Sequence, residues 1–146
     1  MILGERKGVV MPRTGRRRQV ERSRWRQFRS VGENFAKAGE VATEFEYWNA
    51  AGVLLVHAAI ALTDALTVKV GGVKSAGGDH MLAAALLETV VAIDADGKKA
   101  IGHLRALIEE KTLVSYSGEI YRREDIRRMG RHLDRYRAWA DRLLAV

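Results

Sequence analysis

The chain has 146 residues, with 25 Lys+Arg against 18 Asp+Glu for a formal charge of +7. That length suits one domain of ordinary size, and 47% hydrophobic residues supply enough apolar side chain for a packed core, which excludes wholesale disorder. The absence of cysteine excludes a disulfide framework, thiolate metal ligation and a cysteine nucleophile, and the single proline argues against a sandwich or barrel.

The charge is concentrated at one end. Residues 1–29 carry +8, which leaves −1 for the other 117. The pattern reads as a basic, disordered arm over residues 1–22 ahead of a single helical domain over 23–146. Such an arm attracts phosphate backbones or acidic surfaces, and it serves equally well as a solvated tail. Ile2-Leu3 and Val9-Val10-Met11 are too short for a secretory signal, and no run reaches the roughly 20 apolar residues of a membrane span. A cytoplasmic chain with no membrane partner is expected.

The first helix is predicted from Trp25, because Trp25, Phe28, Val31, Phe35, Ala38, Ala42 and Phe45 follow steps of three and four that keep one face toward a core. Gly32 and Gly39 share a face within it, and close approach to a neighbouring helix would offset their low helix propensity. A second helix, near Trp48 to Thr67, is apolar nearly all round and is expected at the centre of the fold. The glycine-rich stretch from Val70 to Asp79 reads as a flexible loop, with Asp79 capping a third helix over His80 to Val90. A turn at Asp94–Gly97 leads to a helix over Lys98 to Lys111, and the last helix starts near Arg123. Short connections between amphipathic helices predict an all-α, antiparallel up-and-down four-helix bundle with an additional short helix.

Three groups of residues could carry chemistry. His57 and Asp64 lie two turns apart on the second helix, too far for direct contact. His80, at the start of the returning helix, is therefore the expected partner of Asp64, the three together forming a polar anchor for the loop. The loop lacks the order of a phosphate-binding P-loop, so Lys74 stands as an isolated anion contact, and no His/Asp/Glu cluster has a metal-ligand spacing. The last helix is the third group. Arg131 and Arg135 suggest anion or nucleic-acid contacts, and His132 could serve as a general base beside an arginine.

The run Ala50 to Leu66, with His57-x6-Asp64-Ala65 followed by Asp79-His80, resembles the second helix and downstream loop of the HEPN family of small helical bundles. The likeness extends over about Trp25 to Leu144. It implies a four-helix core, frequent homodimerisation, no cofactor and, in many members, metal-independent ribonuclease or toxin activity beside a nucleotidyltransferase-like partner. The family hallmark, Arg then four to six residues then His, is matched by Arg127-x4-His132, so the resemblance implies catalytic roles for Arg127 or Arg128 and His132. Arg128 and Asp134 stand where the nuclease branch commonly has a polar residue and a tyrosine. On a continuous helix Arg127 and His132 also point about 140° apart. The leading expectation is a non-catalytic module binding a protein, a nucleotide or RNA. The alternatives are the ribonuclease and a nucleic-acid binder acting through the arm and last helix.

Overall fold

The computed structural model describes residues 16–146, so most of the predicted basic arm lies outside the described residues. The chain is an all-α bundle with one small antiparallel ribbon. β1 (Arg17–Gln19) leads through a 3₁₀ turn to α1 (Trp25–Glu44) and α2 (Trp48–Gly71). There follow β2 (Val73–Ser75), α3 (Met81–Val90), α4 (Ala95–Glu109), α5 (Lys111–Tyr116) and α6 (Arg123–Leu144). β1 pairs with β2 in the register Arg17↔Ser75, Arg18↔Lys74, Gln19↔Val73. Residues 17–19, expected within a disordered arm, are therefore ordered. The glycine loop supplies their partner strand, which satisfies backbone groups that a flexible loop would leave to water.

α2 is the centre. Val56, Ala58, Ala59, Leu62, Ala65, Leu66 and Val68 are all essentially inaccessible, and α1, α3, α4 and α6 enclose the helix. α2 has 24 residues and includes an 18-residue stretch of mean hydropathy 1.8, long and apolar enough to cross a membrane, contrary to the expectation from its sequence. In this fold 78% of that stretch is buried by its neighbours.

The glycines of α1 explain how closely it docks. A Cβ on Gly32 would sit 3.2 Å from Leu62 Cγ and 3.3 Å from the Ala58 carbonyl oxygen, and one on Gly39 would sit 3.4 Å from Leu55 Cδ2. The seam is thus the small-residue face Gly32, Ala36, Gly39 and Ala42. Three of the seven residues of the expected core stripe are turned outward as a result: Val31, Ala38 and Phe45 are exposed.

The long helices α1, α2, α4 and α6 alternate in direction, as an antiparallel up-and-down four-helix bundle requires, and the short α3 is an addition to them. β2 carries the chain back along α2, so that His80 shares a small cavity with Ile60 and Asp64 while Val90, at the far end of α3, packs on Gly71. α3 consequently runs in the same direction as α2. α4 then descends and α6 ascends, placing Arg128 beside Glu110 and Gly97 beside Trp139. Asp94 caps α4 by accepting from the Gly97 amide at 2.8 Å, and Asp79 accepts from the Met81 amide at the start of α3. Lys69 ties the end of α2 to the end of α6 by donating to the Leu144 carbonyl at 2.7 Å.

Candidate functional site

Two polar clusters interrupt the apolar packing. The first lies under the β-ribbon. Asp64 Oδ2 is 3.6 Å from Lys74 Nζ, and both side chains are largely enclosed. A cavity of about 90 Å³ beside them is lined by Ser75, Ala76, Gly77 and His80, and the buried Ser75 hydroxyl has no hydrogen-bond partner among the described residues. Burial pushes the Asp64 carboxyl up to about 6, against the pull of Lys74 and Arg18.

The expected Asp64–His80 hydrogen bond does not form: strand pairing sets Lys74 over Asp64, and the chain travels on before α3 begins. His80 instead sits near His57 and Lys111, and burial together with those charges holds its imidazole below the ordinary value. His57 rests against the Phe35 ring at 5.5 Å, its own value lowered by burial and by Lys111. Lys74 likewise departs from the expected anion contact, because its ammonium is taken up by Asp64, the Ser75 carbonyl and the Phe28 ring.

The second cluster lies between α4 and α6. His132 Nδ1 and His103 Nδ1 are 2.9 Å apart, with ring centroids 5.1 Å apart. One ring must donate its Nδ1 proton and the other must accept, so the two imidazoles hold opposite tautomers. Burial holds His132 below the ordinary imidazole value, helped by Arg128, Arg135 and Arg131 and opposed by Glu110. His103 is lowered by burial, by His132 and by Arg135. Both are therefore neutral near pH 7.

One helical turn away from His132, Arg128 donates to Glu110 at 2.7 Å and to Asp125 at 3.1 Å, and the Tyr121 hydroxyl donates to the same Glu110 oxygen. Arg128 is thus held in place by two carboxylates rather than left free for a ligand. Arg131 and Arg135, by contrast, are exposed and have no ion pair among the described residues. On the other side of His103 a groove of about 320 Å³ is lined by Asp96, Lys99, Arg135 and Arg142 over the Trp139 ring. Lys99 and Arg142 also lack ion pairs among the described residues, so three cations face one carboxylate there. The arrangement offers an anion a positive surface beside a neutral acid–base pair.

Arg127 does not belong to this cluster. It lines a separate groove of about 520 Å³ between α1 and α6, with Glu40, Glu44 and Arg137. Five residues of helix carry it away from His132, as the 100° step requires. Among the described residues no group of His, Asp and Glu gathers that could hold a metal ion.

Sequence reasoning missed His103, Glu110 and Tyr121. A signal was present for the first two: His103 and Glu110 are seven apart on one helix face, and Arg128, His132 and Arg135 follow steps of four and three on another. Two polar stripes of matching length on otherwise amphipathic helices mark a shared seam.

No protein-family model, curated protein or solved structure is similar to the chain.

Proposed function

We propose that the chain is an RNA-contacting helical module of the HEPN type whose α4–α6 face cleaves a phosphodiester bond without a metal ion. One observation carries the reading: the His103–His132 contact at 2.9 Å, beside Arg131 and Arg135, which no carboxylate neutralises among the described residues.

The chemistry follows from the tautomers. The imidazole that donates its Nδ1 proton keeps a basic Nε2, and the one that accepts carries an Nε2 proton. The basic Nε2 takes the proton of a ribose 2′-hydroxyl as its oxygen attacks phosphorus. The other Nε2 gives its proton to the 5′-oxygen as the phosphorus–oxygen bond breaks. The Nδ1 proton moves across the hydrogen bond at the same time, so both rings end neutral with their tautomers exchanged. Arg135 and Arg131 stabilise the charge gathering on the phosphoryl oxygens. Arg128 acts by positioning His132. The products are a 2′,3′-cyclic phosphate and a 5′-hydroxyl.

The test is incubation of single-stranded RNA with the full chain in EDTA. Cyclic-phosphate ends should appear, and His132→Ala or His103→Ala should each abolish them. Absence of cleavage by pure protein, or cleavage indifferent to His103→Ala, refutes the reading.

A further inference from the structure

Charged rungs join α1 to α6 at both ends of their seam, and the seam opens between them. Arg29 pairs with Asp141 at 3.1 Å, and Glu33 pairs with Arg137, one turn on along α1 and one turn back along α6. At the far end Arg123 reaches Glu46 at 3.6 Å and stacks on the Trp48 ring. Two turns past the Glu33–Arg137 pair the same antiparallel register sets Glu40 level with Gly130, which has no side chain to meet it. The groove of about 520 Å³ is this missing rung.

Its floor is apolar, built from the buried Leu55, Ile126 and Leu133, and its ends are closed by the paired Arg123 and Arg137. Its rim is charged and unsatisfied. Glu40 and Glu44 on α1, and Arg127 and Asp134 on α6, have no ion pair among the described residues. Opposite charges therefore line one groove without meeting. Glu40 and Glu44 stand one turn apart, where like charges repel and a cation between them relieves the repulsion. Arg127 and Asp134 lie two turns apart, about 10.5 Å along the axis. That is on the order of an extended lysine with a charge-assisted hydrogen bond at each end. Gly130 lies between them, and a Cβ there would meet nothing within 4 Å.

Three unpaired carboxylates and one unpaired guanidinium around an apolar floor call for a ligand with an aliphatic body, one anionic group and more than one cationic group. The cavity is in the size range of small-molecule sites. We propose that the groove between α1 and α6 binds a free basic amino acid of the lysine type, its α-carboxylate on Arg127, its α-ammonium on Glu44 and its side-chain ammonium between Glu40 and Asp134. The methylenes cross the space that Gly130 leaves open. His132 faces α4 and His103 instead, so the site is separate from the histidine pair and the inference does not rest on the nuclease reading.

Isothermal titration calorimetry of the full chain with L-lysine tests this, carried to about 10 mM ligand so that millimolar binding is read as well as micromolar. The wild type should bind one lysine. Norleucine, which lacks the side-chain ammonium, and cadaverine, which lacks the carboxylate, should each bind about tenfold more weakly or worse, since each forfeits a hydrogen-bonded charge. Arg127→Ala should weaken lysine by a similar factor and leave cadaverine unchanged, whereas Asp134→Asn should weaken lysine and leave norleucine unchanged. Gly130→Leu should abolish binding by filling the groove, with a Tm no lower than that of the wild type. His132→Ala should bind lysine as the wild type does. No binding of lysine by the wild type, or binding that survives Gly130→Leu, overturns the inference. Cadaverine binding as tightly as lysine also overturns it, because the groove would then read positive charge alone.

Discussion

Replacing Asp64 with asparagine should make the protein more stable at alkaline pH, although it deletes an ion pair. Asp64 is 14% exposed, faces Lys74 at 3.6 Å and Arg18 beyond it, and shares a cavity with His80 and the Ser75 hydroxyl. Its carboxyl titrates at about 6 because desolvation outweighs the attraction of both cations. In the unfolded chain the same group titrates near 3.8, so the folded state binds the proton more tightly. Ionisation of Asp64 therefore costs stability that is fully felt above the folded value and vanishes as pH falls toward the unfolded one. Each tenfold step is about 1.4 kcal/mol, which puts the cost at about 3 kcal/mol near neutrality. Asparagine occupies the same space without a charge. Urea unfolding followed by circular dichroism should place Asp64→Asn about 2–3 kcal/mol above the wild type at about pH 8, with the gap closing below about 1 kcal/mol at about pH 4.5. The four histidines with lowered values act in the opposite sense, but they are common to both chains and cancel in the difference. A variant that is less stable at the higher pH, or a gap that does not change with pH, refutes the reasoning.

Glycine substitutions should divide by contact. Gly130→Ala on α6, where a Cβ would meet nothing within 4 Å, should stabilise by about 1 kcal/mol, whereas Gly52→Ala, 2.8 Å from Val114 Cγ2, should destabilise in the same thermal melts. Tyr136→Phe should cost about 1 kcal/mol, since the buried Tyr136 hydroxyl bonds Thr63 Oγ1 while Thr63 keeps its own bond to the Ala59 carbonyl. In NMR titrations the His103 imidazole should titrate below its ordinary value, and His132→Ala should move it upward by removing one cause of the depression. Because the folded values of both rings lie below the unfolded one, the stability that depends on keeping them neutral is present above about pH 6.5 and is lost as pH falls through it.

The elements were legible because their periodicities are strong: the stripe Ile126, Met129, Leu133, Tyr136 and Ala140 of α6 is buried as read. The face of α1 was not. Counting apolar residues favours Val31 and Phe45 for the core, but packing distance favours the side without side chains, and Gly32 and Gly39 let α2 approach where valine could not. The ribbon was hidden for a different reason. β1 is three residues of a charged segment, and strand character there comes from pairing with β2, which no local pattern announces. That pairing set Lys74, rather than His80, against the Asp64 carboxylate, although His80 lines the same cavity. Of the residues expected to carry function, His132, Arg131 and Arg135 lie along one stretch of α6, Arg128 is tied to Glu110 and Asp125 one turn earlier, and Arg127 stands apart in the α1 groove.

The last separation has a consequence for the Arg127-x4-His132 spacing that first suggested nuclease chemistry. α6 has an arginine at seven of its positions, so some arginine stands at almost any spacing from His132. The helix itself decides which ones matter. A residue four before or three after His132 lies within about 60° of it, which admits Arg128 and Arg135, whereas one five before is turned about 140° away. In the structure Arg127 indeed opens on the α1 groove. Arg127→Ala should therefore leave RNA cleavage unchanged, while Arg135→Ala should reduce it by about a hundredfold, the effect expected of one lost donor to a phosphoryl oxygen. The reverse ranking in the same assay would mean that Arg127 reaches the reacting phosphate by a route this chain alone does not provide, and it would refute the assignment of the α4–α6 face.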